Sequence, residues 1–584
     1  MKKFNFKPII FILFAAGLLS ACSGLNKMKK NADQIQFQVT PEVLEAHAGE
    51  VDVAIDGRFP AKYFNKKATL EITPVLKYEA GETEFEQVTV QGEKVEDNNR
   101  VIGFTSGGSY SYNDDVDFDS DMRKSELYVN ITASKGAKSV DFDPIKIADG
   151  VIATSELVVN MPKPIIGVRR EANNSGKYDP NIDPFQRIVP DEMLADIHYL
   201  INRSNLRGEE ITAEDVEEFL NYTQKADQEE RIDLKDVEVS AYASPDGEID
   251  FNTDLASDRK NTSSDFVAGK LKDAGVDINL KTRYKPEDWE GFKEMLEESN
   301  IQDKELILRV LSMYDDPEVR EREIRNLSEV FTVLAEQILP KLRRAKLLTN
   351  VDLIGKTDTE LKDLAKSNPG SLNPAELLYA ATLYDDLNEQ LSIYNSFMDV
   401  YPSDWRGPNN AGYVLVKQMK YDEAKPLFEK AEGLKNNEPV VKNNLAAVEL
   451  HAGNVEEAET LLGAASGAGD EVNYNLGIVS VMKADYSQAV SYFGDYQDIN
   501  TALAKILNGN NNGALKDLEN FQRPNCFMKE YLKAIIGART AKENLMYESL
   551  EEAVDIKSEL KEKAKTDLEF AKYFNDPKFQ AIVE

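Results

Sequence analysis

Between Tyr242 and Lys260 the chain reads YASPDGEIDFNTDLASDRK, which gathers Ser244, Asp246, Asn252 and Arg259 into one short stretch. These residue types suit binding. A planar guanidinium such as that of Arg259 can donate two parallel hydrogen bonds to a carboxylate. Asp246 can accept from a cation, or it can cap the following helix and steady the turn. Residues that break bonds are scarce. The three histidines, His47, His198 and His451, lie in different regions, and none sits in HExxH or in a pair at ligand spacing. The chain has no GxSxG elbow, no GxxxxGK phosphate loop and no paired-cysteine motif. The expectation is a binding protein with no catalytic residue, no metal and no cofactor. A hydrolase built on a carboxylate pair is the alternative of another class, since 103 Asp and Glu residues offer many pairs and no motif selects one.

The elements around this stretch read as α/β. IDLKDVEVSAYAS has the apolar alternation of a strand, and NTDLASDRKNTSSDFVAGKLKDAGV reads as a helix ending at Gly275. Upstream, Ala195–Arg207 reads as a strand and turn, followed by a helix in TAEDVEEFLNYTQKA with Thr212 as its N-cap and Asp215 three residues on. After Val276 a long charge-rich helical stretch runs to Arg344, and a closing strand is expected over Leu347–Ile354. Arg343 and Arg344 at its end are candidate contacts to cell wall or protein.

Gly247, Asn252, Leu255 and Arg259, at their spacing from the turn, resemble the motif of the OmpA-like peptidoglycan-binding domain. That resemblance implies residues 185–356 form an OmpA-like fold with a helical insertion. It also implies that Arg259 holds the carboxylate of the wall's diamino acid, while an acid at the turn holds its ammonium. Ser244 stands where the family places that acid, and Lys260 where it places a small residue. Asp246 is two residues away from the expected position. The Ser-Pro-Asp-Gly turn with a long insert resembles envelope proteins of Bacteroidota.

The start of the chain carries a different chemistry. Lys2, Lys3 and Lys7 precede an apolar run, Ile9–Leu19, which is shorter than the ~20 residues of a membrane-spanning helix and ends in Leu-Ser-Ala-Cys. Residues 1–21 are therefore expected to be an export signal and residues 22–33 a lipidated linker. Cys22 resembles the acylated cysteine of bacterial lipoproteins, where more than one acyl chain gives stable anchoring. Ser23, with no acid before Asp33, fits an outer-membrane destination facing the periplasm. The other cysteine, Cys526, is expected to be a small buried residue.

Three further regions differ in period. Residues 34–170 alternate apolar and polar residues in short runs such as VDVAIDG and ELYVNITAS, which predicts a β-sandwich-like domain. Its acidic stretch, NDDVDFDSDM, has Ser120 where a calcium loop needs glycine, and reads as an acidic hairpin loop. GFTSGGSYSY reads as a hairpin or loop. From residue 372 to 521 the chain repeats: NNAGYVLVKQMKYDEAKPLFEKA and NNLAAVELHAGNVEEAETLLGAA are 34 residues apart. That is the tetratricopeptide period. A third copy begins at Asn473, a degenerate fourth follows, and a first precedes Trp405. Ala411, Gly412, Ala424, Ala446, Ala458, Gly477 and Ala489 are the small residues that let paired helices approach. Residues 522–584 read as helices capping the stack.

The formal charge of −34 argues against a nucleic-acid partner. Together these readings predict a multidomain, outer-membrane-anchored lipoprotein. A β-sandwich-like domain precedes an α/β OmpA-like domain that holds peptidoglycan, and a C-terminal α-solenoid binds an envelope protein. The alternative is an accessory subunit of a secretion, barrel-assembly or pilus machine, whose OmpA-like domain docks protein.

Overall fold

The computed structural model describes residues 24–167, 185–245, 247–301, 304–314, 316–326 and 328–584. The leader, Cys22 and Asp246 lie outside the described residues. The chain divides into two units, residues 1–168 with 386–584, and residues 169–385.

In the first unit, residues 36–152 supply eleven strands. Alternation builds them: in Glu50–Phe59, Val51, Val53, Ile55 and Phe59 are buried while Glu50, Asp52 and Asp56 are exposed. This strand pairs along its length with Gly108–Asp117, and Thr69–Tyr78 pairs likewise with Ser125–Lys135. The expected sandwich is one connected sheet. Val43–His47 pairs antiparallel with Glu50–Phe59 and parallel with Ile145–Ile152, so the two layers share a strand. Inward residues of both layers, among them Val53, Ile55, Leu70, Ile72, Val129 and Ile131, form a single core.

The acidic stretch is not simply a loop. Asn113–Asp117 continues the Gly108–Asp117 strand, because Tyr110, Tyr112 and Val116 keep the alternation and pack on the core. Only then does the chain turn, with Asp119 accepting from the Asp121 N–H at 2.9 Å. Upstream, Gly103 and Gly107 bridge across a tight turn. Gly107 is required there, since its φ is +73° and a Cβ would lie 2.4 Å from the Phe59 carbonyl oxygen.

The C-terminal part of this unit stacks antiparallel helix pairs. Arg406–Lys417 pairs with Tyr421–Leu434, Pro439–His451 with Val455–Ala464, Asp470–Met482 with Tyr486–Phe493, and Ile499–Leu507 with Asn511–Asn520. The small residues set the approach: a Cβ on Gly412 would lie 2.6 Å from the Phe428 ring, and one on Gly477 2.6 Å from Phe493. Residues 522–584, expected as capping helices, include a further pair, Phe527–Arg539 with Glu543–Ile556.

The second unit is a four-stranded sheet in the order Ile188–His198, Arg344–Ile354, Ile232–Tyr242, Lys281–Lys285, antiparallel except for the last pairing. Glu214–Gln228 and Ile249–Asp273 pack on it through Phe219, Val267 and Leu271, against Ile197, Val239 and Leu347. Thr212 is not the N-cap of the first helix. Ala213 takes that place, and the Thr212 hydroxyl donates to the Gly208 carbonyl at 3.0 Å, tying it to the preceding helical turn. The helical stretch from Trp289 to Leu342 makes its own small core with Phe292, Leu296, Leu334, Leu339 and Leu342. Pro374–Thr382, expected as part of a first repeat, packs in this unit on Asp358–Ser367.

Candidate functional site

After the Ile145–Ile152 strand, Ser155 Oγ donates to the Ala46 carbonyl at 2.6 Å and Thr154 bonds to Glu569. From Val158 to Gly167 the chain belongs to neither helix nor sheet, yet Ile165 is 2% exposed. A buried backbone needs partners. Here they are asparagine side chains of the helical array.

Four N–H groups of this strap donate to four asparagines. Val159 donates to Asn500 Oδ1 at 2.9 Å, Lys163 to Asn475 at 2.7 Å, Ile165 to Asn444 at 2.6 Å and Gly167 to Asn410 at 2.7 Å. Three amides donate back: Asn500 to the Val159 carbonyl at 2.9 Å, Asn475 to Lys163 at 2.9 Å and Asn444 to Ile165 at 2.7 Å. A second row locks the first. Asn443 Nδ2 also donates to the Lys163 carbonyl at 3.0 Å, and its Oδ1 accepts from Asn475 at 3.0 Å.

The repeat explains the ladder. Asn410, Asn444, Asn475 and Asn500 each stand two residues before Gly412, Ala446, Gly477 and Ala502, so they share one position in the first helix of successive pairs. All four are buried. Asparagine is a poor helix former, and a buried amide left unpaired costs about 1–3 kcal/mol. The strap satisfies both ends of the amides of Asn444, Asn475 and Asn500, and the Oδ1 alone of Asn410, whose buried Nδ2 lacks a partner.

One side chain of the strap is held individually. Lys163 Nζ lies 3.6 Å from the Tyr474 ring centroid, 3.7 Å from that of Tyr496 and 3.8 Å from Asp498 Oδ2. Burial pulls the Lys163 pKa down, and Asp498 opposes that shift. The ring faces favour the cation.

Stacked helix pairs, two of them with a glycine pressed on an aromatic ring of the partner helix, coincide with a family match: the model described as tetratricopeptide repeat matches residues 415–474. The C-terminal region is a tetratricopeptide-repeat array. Such arrays offer a curved face to peptides and partner proteins. Among solved structures, the chain is similar to the anaphase-promoting-complex assembly Cut9–Hcn1, at 15% identity and a TM-score of 0.31, covering 34% of this chain and 44% of that one. It is also similar to a tetratricopeptide repeat protein of Parabacteroides merdae, at 16% identity and a TM-score of 0.28, over 36% of this chain and 91% of that one. PilF of Pseudomonas aeruginosa is similar at 16% identity and a TM-score of 0.28, over 37% and 98% of the two chains. No curated protein matches the chain in sequence.

The second unit carries a separate site. Ser244, Gly247, Asn252, Leu255 and Arg259 line one cavity of about 360 Å³, with Arg343 and the half-exposed Phe251 and Ile201 at its wall. The motif residues therefore come together, with Asp246 outside the described residues. Arg259 is 0% exposed and donates to three backbone carbonyls: Tyr242 at 2.8 Å, Arg203 at 2.9 Å and Leu200 at 3.2 Å. The Asn252 amide donates to the carbonyls of Ser244 at 3.1 Å and Gly247 at 3.0 Å, which staples the turn. Arg343 Nε donates to Ser244 Oγ at 3.1 Å.

Arg344, a candidate contact to wall or protein, is instead buried. It pairs with Asp196 at 2.8 Å and Asp288 at 3.0 Å inside the unit. The histidines do not come together: His47 bonds to the Tyr486 hydroxyl at 2.6 Å, His198 lies 3.5 Å from Glu210, and His451 stacks on Tyr421 at 3.6 Å. Among the described residues, no group of three or more His, Cys, Asp or Glu is placed to hold a metal ion. None of their helices is long and apolar enough to cross a membrane.

The ladder asparagines are what the sequence reading misses. Their signal is the recurrence of a poor helix former two residues before the small residue of each pair.

Proposed function

We propose that the protein is a non-enzymatic scaffold of the bacterial cell envelope. Lipid on Cys22 anchors it in the outer membrane facing the periplasm, and the tetratricopeptide array organises an envelope partner. The observation that supports the scaffold reading most strongly is the asparagine ladder, a surface that grips an extended chain by its backbone. The second unit is an OmpA-like domain in this reading, and its cavity takes the stem peptide of peptidoglycan beside Arg259. Two attachments, one to membrane and one to wall, raise each other's effective concentration.

A second reading is favoured by the cavity's polar groups. Arg259 is committed to three backbone carbonyls, and a guanidinium contacts the serine that stands in the acid's place. Both features suit a domain that docks protein, as in an accessory subunit of a secretion, barrel-assembly or pilus machine. Sedimentation of the full-length mature chain with isolated sacculi separates the two. In the wall-binding reading the wild type pellets, Arg259→Ala stays in solution, and the rim variant Phe251→Ala pellets less. A wild type that stays in solution while co-purifying with a defined envelope complex supports the docking reading.

A further inference from the structure

The strap uses its backbone selectively. The N–H groups at residues 159, 163, 165 and 167 reach the ladder, and the two prolines, Pro162 and Pro164, sit between these positions. Proline has no N–H to lose and holds the chain extended, so the segment MPKPIIG enters the groove already near its bound shape. Pre-ordering of this kind lowers the entropic cost of binding. Lys163 in its cage of Tyr474, Tyr496 and Asp498, together with buried Ile165, adds side-chain selectivity to a grip any extended chain satisfies.

Ile165 of the strap joins the array's buried core, but the close approaches that join the helices of a pair do not use the strap. Gly412 on Phe428 and Gly477 on Phe493 are contacts within each helix pair. A face lined with amides also differs from an apolar core in what happens when it empties. Water can bond to asparagine side chains at small cost.

We propose that the segment 158–167 is a built-in competitor that occupies the array's binding face, and that the face's external partner is an extended peptide carrying a lysine between prolines followed by branched apolar residues. This rests on the scaffold reading, which it deepens. When the strap is seated the face is closed, and a partner peptide gains access by displacing it.

The test is titration of a fluorescent peptide with the strap's own sequence, residues 157–167, into the full-length mature chain, followed by anisotropy. The wild type is expected to bind at least tenfold more weakly than a variant whose strap carries Lys163→Ala and Ile165→Ala. Adding Asn444→Ala and Asn475→Ala to that variant is expected to abolish binding, and replacing the peptide's lysine with glutamate to weaken it at least tenfold. The proposal is overturned if the strap variant, unfolding as the wild type does, binds the peptide no better. It is equally overturned if that variant loses cooperative unfolding of the array, which makes the strap a fixed part of the core. Neither outcome depends on membrane anchoring or wall binding, so failure here is distinct from failure of the envelope reading.

Discussion

The array and the second unit each bury a set of polar side chains, but they satisfy them differently. In the array, the buried amides of Asn444, Asn475 and Asn500 find their partners on a separate stretch of backbone. In the second unit, Asn252 and Arg259 turn back onto carbonyls of their own turn and loop, and Arg344 closes on Asp196 and Asp288. In the first arrangement the partners lie on a segment that, in the proposal above, another extended chain can replace. In the second they lie within the fold, where they hold the turn and loop that line the cavity.

Arg344→Ala is expected to break the second arrangement most severely. It leaves two carboxylates inside the unit, Asp288 almost wholly buried, without their cation, and losing one partner of a buried pair costs about 3–5 kcal/mol. Urea unfolding should show the second unit's transition moving to much lower concentration. Asn444→Ala should be smaller, about 1–3 kcal/mol, because it leaves the N–H of Ile165 unpaired and its carbonyl with only the Asn409 amide at 3.4 Å. Its effect should appear as loss of strap protection while the array stays folded. Lys163→Ala removes the caged cation and should weaken strap seating by about 1–2 kcal/mol, with Lys163→Met recovering part of it through packing.

The smallest effect concerns a lysine with no groove role. Burial pushes Lys563, beside the Tyr531 ring, down to about 8. Between that value and the ordinary lysine value the unfolded chain binds more protons, so stability rises with pH. The first unit's Tm should climb by about 2 °C from pH 8 to 9.5, and Lys563→Met should flatten that rise.

Legibility in the sequence follows the same division. Strands such as Glu50–Phe59 are readable because one face is buried, and the helix pairs because small residues recur at the repeat period. The motif Ser244, Asn252, Arg259 is readable as a cluster, and the structure brings those residues to one cavity. That Arg259 would donate to three carbonyls is not readable, because two of the partners, Leu200 and Arg203, come from a loop with no spacing rule to the helix. The strap is the least legible element. MPKPIIG pairs with side chains, so it has neither the period of a strand nor that of a helix, and it reads as the end of the β domain. Aligning the third repeat from Asn473 also hides Asn475, whereas aligning on Gly412, Ala446, Gly477 and Ala502 sets the four asparagines in register.

The most direct measurement is hydrogen exchange of the full chain followed by mass spectrometry over residues 157–167, in wild type and in Asn444→Ala with Asn475→Ala. If the ladder holds the strap, the wild-type segment exchanges slowly and the variant rapidly, while Thr69–Tyr78 is unchanged. Rapid exchange of that segment in the wild type would contradict a seated strap.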